Sequence, residues 1–434
     1  MQTAIHRICQ LTGWLNACLL LQGCHSFAVQ QNAASYPPEL RIQSQTQTGM
    51  RQIEAQTHSL AEKAAIFERR IFGEFRDPNH FLFGEERRAN RSLQLDLEAT
   101  ALVLAATAAK YSVTQAPEDL RAINRILDGL QVLDDVNTRD GFLPHLVESP
   151  NLKVIRGDTH ANAYAQLMFA YITVHQQVAD DAVHAKIRMQ AKAMAGYFLK
   201  HQFKMHDAAG QPIEVSDLTP SPWQLSRSRV LDLLLIAESL RYLLPPDDPE
   251  APELKAYLDT AGQVGYLRKI QCLRFQMLGY KVPTHSSDWL NFLRLYTLTR
   301  ISDTSDYHSA WKRHYQNMKE ELNPFYAILH HDNSQKAVIE HYMNSFPLTL
   351  DNHPVVPDDQ VPLNPYPLYK KNNRAVEALT PLPIYQRPAS NFEWKRNPYR
   401  VEGHLVRQSE VKYAGIDFYI AYWFGRQNGL IDGE

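Results

Sequence analysis

Helical stretches follow one another along most of this chain, and the links between them alternate between short and long. Apolar residues recur at helical spacing over roughly 45–74, 92–111, 117–135, 159–179, 181–203, 225–244, 251–278, 286–301 and 305–322. In HANAYAQLMFAYITVHQQV, for example, Tyr164, Leu167, Met168, Tyr171, Val174 and Val178 share one face. Links near 112–116, 180, 245–250 and 302–304 are short, whereas those near 136–158, 204–224 and 279–285 are mostly much longer. Successive antiparallel helices put alternate links at opposite ends, so the long ones must gather on one face. Helix composition alternates as well. LQLDLEATALVLAATAA and VLDLLLIAESLRYLL are apolar nearly all round and must be buried on most sides, while DDAVHAKIRMQAKAMAGYFLKHQ carries a polar stripe. Apolar inner helices and amphipathic outer ones, joined as hairpins, predict an all-α fold, an (α/α) toroid. No fixed period of about 34 residues, the mark of a tetratricopeptide solenoid, competes with it.

Beyond Asp351 prolines cluster between Pro354 and Pro398 and helical runs become few. This irregular Pro-rich segment is expected to wrap the barrel, with the aromatic residues of FEWKRNPYR and DFYIAYWFGR as anchors. The expected division is a signal peptide at 1–23, a tether at 24–40, the toroid at 41–350 and a packed C-terminal extension at 351–434. The 45 Lys and Arg against 47 Asp and Glu leave a formal charge of −2, too little to neutralise a run of phosphates, so nucleic acid is not an expected partner.

The N-terminus opens with His6 and Arg7, continues with an apolar run from Leu11 to Leu21 and ends in Leu21-Gln22-Gly23-Cys24. The run is shorter than the roughly 20 apolar residues a membrane-spanning helix needs and follows a signal-peptide plan. Its end resembles the bacterial lipobox, with Gln22 in place of the usual small residue. That resemblance implies lipidation of Cys24, a membrane partner through the lipid, and an address in the bacterial cell envelope, at the outer membrane. Ser26 and Ala28 offer the alternative of plain secretion or a periplasmic protein. Cys9 and Cys18 would leave with the signal, so Cys272 is the one thiol of the folded body, and it reads as a small buried hydrophobe.

Several strings carry a further resemblance: DGFLPH from Asp140, GDTHANAY from Gly157, HDAAGQPIEVSDLTPSPWQLSRSRVLDLLLI from His206, SSDWLNFLRLYTLTR from Ser286, NPFYAIL from Asn323, and WKRNPY with GIDFYIAYWFGRQNG near the end. Over roughly Phe75 to Gly429 the chain resembles bacterial proteins of the six-hairpin, glycosidase-like (α/α) toroid superfamily. The resemblance implies the architecture and, by analogy of fold, a glycan ligand; superfamily members include hydrolases, lyases, epimerases and proteins with no known activity.

In that architecture the long loops and the N-terminal ends of the inner helices form the cleft. Asp158, Asp217 and Asp288 fall there and are the candidate catalytic carboxylates, with Asp140 behind them because Asp-Gly most often marks a turn. Asp158 and Asp288 also stand where a helix cap would. A lyase acting on uronic acid polymers would instead need a base, an acid and a cation for the carboxylate. His160, Asn162, Tyr164 and His285 with Arg156 and Arg229 suit those roles, although Tyr164 lies on the apolar stripe. Trp223 is the candidate sugar platform, with Trp289 and Trp394 more naturally core. No metal-binding helix, phosphate loop or nucleophile elbow is recognisable, so no metal and no cofactor are expected. The expectation is an envelope lipoprotein that binds a glycan and modifies it, glycosidase-like or lyase-like. A non-catalytic envelope scaffold on the same toroid is the alternative.

Overall fold

The computed structural model describes residues 52, 54–86, 92–136, 141–156, 160–207, 210–277, 280–282, 284–349, 380–387, 392–399 and 412–433. The signal segment, Cys24, the tether and the candidates Asp140 and Asp158 lie outside the described residues, as does the side chain of Arg156.

Among the described residues the helices that build the body are α1 (Leu60–Glu74), α2 (Leu97–Thr114), α3 (Pro117–Asp135), α4 (Ala161–Gln177), α5 (Asp181–Lys200), α6 (Arg227–Leu243), α7 (Glu250–Gln263), α8 (His285–Ile301), α9 (Ser305–Met318), α10 (Pro324–Leu329), α11 (Lys336–Asn344) and α12 (Ile416–Gln427). Even-numbered helices are buried on nearly every side, as in α4, where Ala161 and every residue from Ala163 to Val174 are buried. Odd-numbered helices bury a stripe, as in α5 with Val183, Ile187, Gln190, Ala191, Met194 and Phe198. The even helices form the inner ring. α2 packs between α12 and α4, α4 against α6 and α8, α6 against α8, and α10 against α12. Aromatic contacts join α8 to α10, with Trp289 5.1 Å from Phe325 and Phe292 4.8 Å from Tyr326 between ring centroids. The odd helices lie outside. α3 packs on α2, α5 and α7 on α6, α9 on α8, α11 on α10 and α1 on α12. The fold is therefore an (α/α) toroid of six helical hairpins, as the alternating helix composition predicted.

Local sequence starts these helices. Ser59 and Glu62 make a reciprocal capping box on α1, Pro117 occupies the first turn of α3, and Asp96, Asp180 and Ser226 cap α2, α5 and α6. Two expectations change. The single helix expected over 251–278 is broken by Gly265, which adopts φ +81° after α7, and it gives way to the one-turn helix Tyr266–Lys269 and a strand. The C-terminal stretch does more than wrap the barrel, because α12 is an inner helix and closes the ring between α10 and α2.

Short strands not legible as alternation decorate one end. β1 (Gly84–Glu86), β2 (Leu93–Asp96), β3 (Leu146–Glu148) and β4 (Lys153–Arg156) form one antiparallel sheet in that order. β5 (Lys204–His206) pairs with β6 (Pro212–Asp217), and β7 (Phe275–Met277) with β8 (Tyr280–Val282). All precede an inner helix. Polar contacts from Asn162 and Ser228, in the first turns of α4 and α6, to Arg294 and Asn291 of α8, described below, bring these helices together at that end. The long links near 136–158, 204–224 and 279–285 thus share one end of the body, which forms the mouth of the barrel.

Lys63 on α1 ties the outer wall together. Its side chain is fully buried and Nζ donates to the carbonyls of Ala55 (2.5 Å), Asn344 (2.7 Å) and Phe346 (2.8 Å). Lys63→Met should cost about 2–4 kcal/mol at pH 7 because it orphans those carbonyls. Burial pulls the ammonium down to about 8, from 10.5. Between those values the unfolded chain holds a proton that the native one has lost, so wild-type stability should rise from pH 8 toward 10.5 by up to about 3 kcal/mol. Urea midpoints measured across that window should show the rise in wild type and not in the variant.

Candidate active site

The string DGFLPH is the device that delivers a histidine to the mouth. Gly141 adopts φ +79° and passes so close to α5 that a Cβ there would lie 2.2 Å from the carbonyl oxygen of Ala193, so no other residue fits. Asp134 Oδ1 accepts from its N–H at 2.7 Å. The buried Tyr164 hydroxyl donates to the Gly141 carbonyl (3.1 Å) and accepts from the Leu143 N–H (3.0 Å). Tyr164 is therefore a core residue that pins this loop. Leu97 N–H then bonds the carbonyl of His145 at 3.1 Å, fixing that residue beside the start of α2.

Three side chains converge there. Glu98 lies in the first turn of α2, whose cap Asp96 accepts from the Glu98 N–H at 2.8 Å. His160 caps α4, its Nδ1 accepting from the Ala163 N–H at 3.3 Å. One side-chain nitrogen or oxygen from each of Glu98, His145 and His160 lies within 4.8 Å of the other two. The two imidazole rings are 4.2 Å apart between centroids, His160 Nε2 is 3.6 Å from Glu98 Oε1, and His145 Nε2 is 3.5 Å from Asp96 Oδ1. Their side chains remain 12% exposed for His145, 23% for Glu98 and 31% for His160, so a ligand can reach them. Burial first, and then the neighbouring charge of Asp96, hold the Glu98 carboxyl above its ordinary range, while Gln166 on α4 bonds it and pulls the other way.

Two imidazoles and a carboxylate also suit a divalent cation. Here, however, Nδ1 of His160 accepts a backbone N–H, which puts that ring's proton on Nε2, the nitrogen facing Glu98. The geometry is that of an imidazole N–H turned toward a carboxylate. It is suited to moving protons, with an acid whose pKa is raised (Glu98) close to an imidazole backed by a carboxylate (His145 with Asp96).

Below this cluster a buried guanidinium joins three inner helices. Arg294 of α8 donates to Asp232 of α6 (Nε to Oδ1, 2.7 Å), Asn291 of α8 (3.0 Å) and Asn162 of α4 (2.7 Å), and Ser228 of α6 lies 3.3 Å from Asn291. Arg294 is 1% exposed and Asp232 3%. Burial raises the Asp232 carboxyl, against the pull of Arg294 and then of Arg229. The node fixes Asn162, two residues after His160, so it sets the floor of the site.

The other candidates from the sequence have different surroundings. Asp288 is 1% exposed and bonded to Arg274 (Nε to Oδ2, 3.0 Å) and to the Thr284 N–H (2.9 Å). Arg274 also bonds Glu321, and His285 Nδ1 lies 3.2 Å from Glu321 Oε2. The guanidinium is held above its usual value because Glu321 and Asp288 together outweigh its burial. Asp288 and His285 thus belong to one ion-paired network at the start of α8. Asp217 ends β6, where its carboxylate accepts from the Thr219 N–H at 2.9 Å, the geometry of an Asx turn. Trp223 is 85% exposed on the loop before α6, with Leu225 78% exposed beside it. Trp289 and Trp394 are buried, and Cys272 is exposed rather than a buried hydrophobe. Of the sequence candidates, His160 therefore sits at the convergence, and Asn162 bonds Arg294. Glu98 and His145 were missed as chemistry, although the strings containing them were read as a helix and a turn.

The described part of the C-terminal segment also reaches the mouth. Its Phe392–Lys395 turn lies on the starts of α8, α10 and α12. Phe392 packs on Trp289 (4.9 Å between centroids), the Trp394 carbonyl accepts from Asn323 (3.2 Å) and Tyr326 (3.3 Å), and Trp394 Nε1 donates to the Asp417 carbonyl (2.7 Å). Asp417 accepts from the Glu393 N–H (2.8 Å) and the Tyr413 hydroxyl (2.7 Å), and burial pushes it up to about 6.

No family model matches the sequence, and no curated protein matches it. Among solved structures the chain is similar to a sugar epimerase from a ruminal bacterium, at 9% identity and a TM-score of 0.47, over 85% of this chain and 99% of that one. It is similar to a GH76 alpha-mannanase from Bacteroides thetaiotaomicron at 8% identity and a TM-score of 0.45, over 87% and 98% of the two chains. A cellobiose 2-epimerase from Bacillus thermoamylovorans matches at 12% identity and a TM-score of 0.40, over 64% of this chain and 85% of that one.

Proposed function

We propose that this protein binds a glycan in the mouth of its toroid and modifies it by proton transfer, with Glu98 as general acid and His145 as general base. The observation that carries this reading is the convergence of Glu98, His145 and His160 within 4.8 Å at a partly exposed floor. Each is fixed from behind, Glu98 by Gln166, His145 by its backbone bond to α2 and His160 by the first turn of α4. Catalysis by positioned groups needs this combination of access and rigidity. In the glycosidase version of the reading Asp158, Asp217 and Asp288 remain the carboxylates to test. The deciding experiment is a screen of the purified chain against envelope and plant polysaccharides, with detection of products. Product that forms with wild type and not with Glu98→Gln supports the reading. Glycan binding without turnover would favour the scaffold alternative.

The proposed address is the cell envelope, through a lipid on Cys24. No helix among the described residues is long and apolar enough to cross a membrane. Cys24→Ser should release the protein from the membrane fraction or leave it unprocessed, as read by fractionation and by the mass of the N-terminal peptide. A wild-type protein that is wholly soluble and begins at Val29 would end this proposal.

A further inference from the structure

Trp223 and Leu225 are 85% and 78% exposed, the highest values among large apolar side chains of the described residues, and Pro222 beside them is exposed as well. They sit on the loop between β6 and α6, at the mouth end of the body. Hydrogen bonds fix that loop from behind. Lys269 Nζ donates to the carbonyls of Pro222 (3.0 Å) and Gln224 (2.9 Å), and the Tyr266 hydroxyl accepts from the Ser221 N–H (3.0 Å). Ser221 Oγ accepts from the Trp223 N–H (3.2 Å), and Gln224 Oε1 from the Ser226 N–H (3.0 Å). The backbone of the tip is thus held by the protein while its apolar side chains are left in water. A tip ordered in advance meets an apolar phase without the entropy cost of ordering a loop.

Charge selects the surface it fits. Residues 218–229, which form the loop, and 264–274, which hold it, contain no Asp or Glu, in a chain whose formal charge is −2. Of their basic residues, Arg274 is paired with Asp288 and Glu321, and Arg229 is drawn toward Asp232. Arg227 and Lys269 bond only carbonyls, Arg268 is exposed, and none of these three has a carboxylate partner among the described residues. Asp217, just before the loop, is turned back onto the Thr219 N–H. A neutral sugar could stack on Trp223 but would leave Leu225 and the cations unused. The boundary of an anionic bilayer uses all of them, because Trp settles at headgroup level, Leu reaches the acyl chains and Lys and Arg meet lipid phosphates. Resting on the proposed envelope address, we propose that the Trp223–Leu225 loop is a membrane-contact site, which inserts its tip into the headgroup boundary of an anionic phospholipid bilayer and turns the mouth end of the barrel toward it.

The test uses the full chain as purified from cells, with vesicles of phosphatidylcholine alone or mixed with phosphatidylglycerol, with and without bromine on the acyl chains. Flotation reads binding to the vesicles. The tryptophan fluorescence of wild type less that of Trp223→Phe gives the signal of Trp223, since the other tryptophans are common to both. With anionic vesicles that signal should shift to the blue, fall by at least about half with brominated lipid and become at least about threefold less quenchable by aqueous iodide. Leu225→Asp and Arg268→Glu should each weaken the quenching by brominated lipid without moving the melting temperature, because both side chains are exposed, and Arg268→Lys should preserve it. A Trp223 that stays open to iodide and untouched by brominated lipid, in a protein that floats with the vesicles, overturns the contact site and leaves the lipid on Cys24 standing. Quenching that is equal in neutral and anionic vesicles and survives Arg268→Glu overturns the anionic-lipid assignment. Shielding of Trp223 from iodide by a neutral oligosaccharide, and not by vesicles, gives the tip to a sugar and overturns it as well. A wild type with no lipid on Cys24 that still shows the quenching supports the contact site and overturns the anchor alone, whereas one that carries no lipid and binds neither vesicle overturns both.

Discussion

Arg294→Met should lower the free energy of unfolding by about 3–5 kcal/mol, the largest single loss expected from any polar residue of the inner ring. The guanidinium is 1% exposed and reaches Asp232, Asn291 and Asn162 at 2.7–3.0 Å, so truncation leaves a buried carboxylate, the buried amide of Asn291 and the half-buried amide of Asn162 without their donor. The loss comes from what is left behind more than from the attraction between the two charges, since bringing both ions out of water had already cost most of that attraction. The double variant Arg294→Met with Asp232→Leu should therefore recover at least half of the deficit. Urea unfolding of the wild type, the single and the double variant gives the comparison. If the single variant stays within about 1 kcal/mol of wild type, the node is not what holds α4, α6 and α8 in register.

Glu98→Gln and His145→Ala should each lower turnover of the glycan substrate by at least about a hundredfold, the size expected for losing a general acid or base. Gln keeps the volume of Glu98 and can still bond Gln166, but it cannot give up a proton. It also removes a carboxyl that burial and Asp96 disfavour in its charged form, so stability should hold or rise slightly. His160→Ala is a different case, because it also removes the cap of α4, and about 1 kcal/mol of stability should go with the activity. Measured by product formation alongside thermal melting, the first two variants separate chemistry from folding. An inactive protein that melts normally supports the assignment, and an active Glu98→Gln removes Glu98 from it. Activity should fade at higher pH as Glu98 loses its proton, and that arm of the pH profile lies above the ordinary glutamate range.

The alternation of apolar and striped helices was enough to identify the toroid, because burial on all sides or on one side is written into each helix by its own composition. The gathering of the long links at one end followed from the same alternation, since antiparallel helices leave no other arrangement. The helix entrance that carries His160 and Asn162 was also legible. Glu98 and His145 were not. Glu98 sits in the apolar string LQLDLEATALVLAATAA and His145 at the end of a turn, and nothing local marks either as reactive. Their chemistry arises only when α2, the Gly141 loop and α4 are packed together, which depends on backbone contacts such as Leu97 to His145 between distant segments. The same holds for Asp288, whose sequence position suits a cleft carboxylate equally with an ion-pair partner, and only the approach of Arg274 from the preceding link places it in a buried network. The C-terminal segment makes the point most sharply. Its prolines pointed to an irregular wrap, yet Ile416–Gln427 enters the inner ring, because a ring of α2, α4, α6, α8 and α10 leaves one apolar gap that only another apolar helix can fill. Periodicity along the chain thus determined which helices lie inside. Which side chains meet at the mouth, and with what charge around them, was decided by three-dimensional packing, since proton affinity and ligand access depend on neighbours that are far away in sequence.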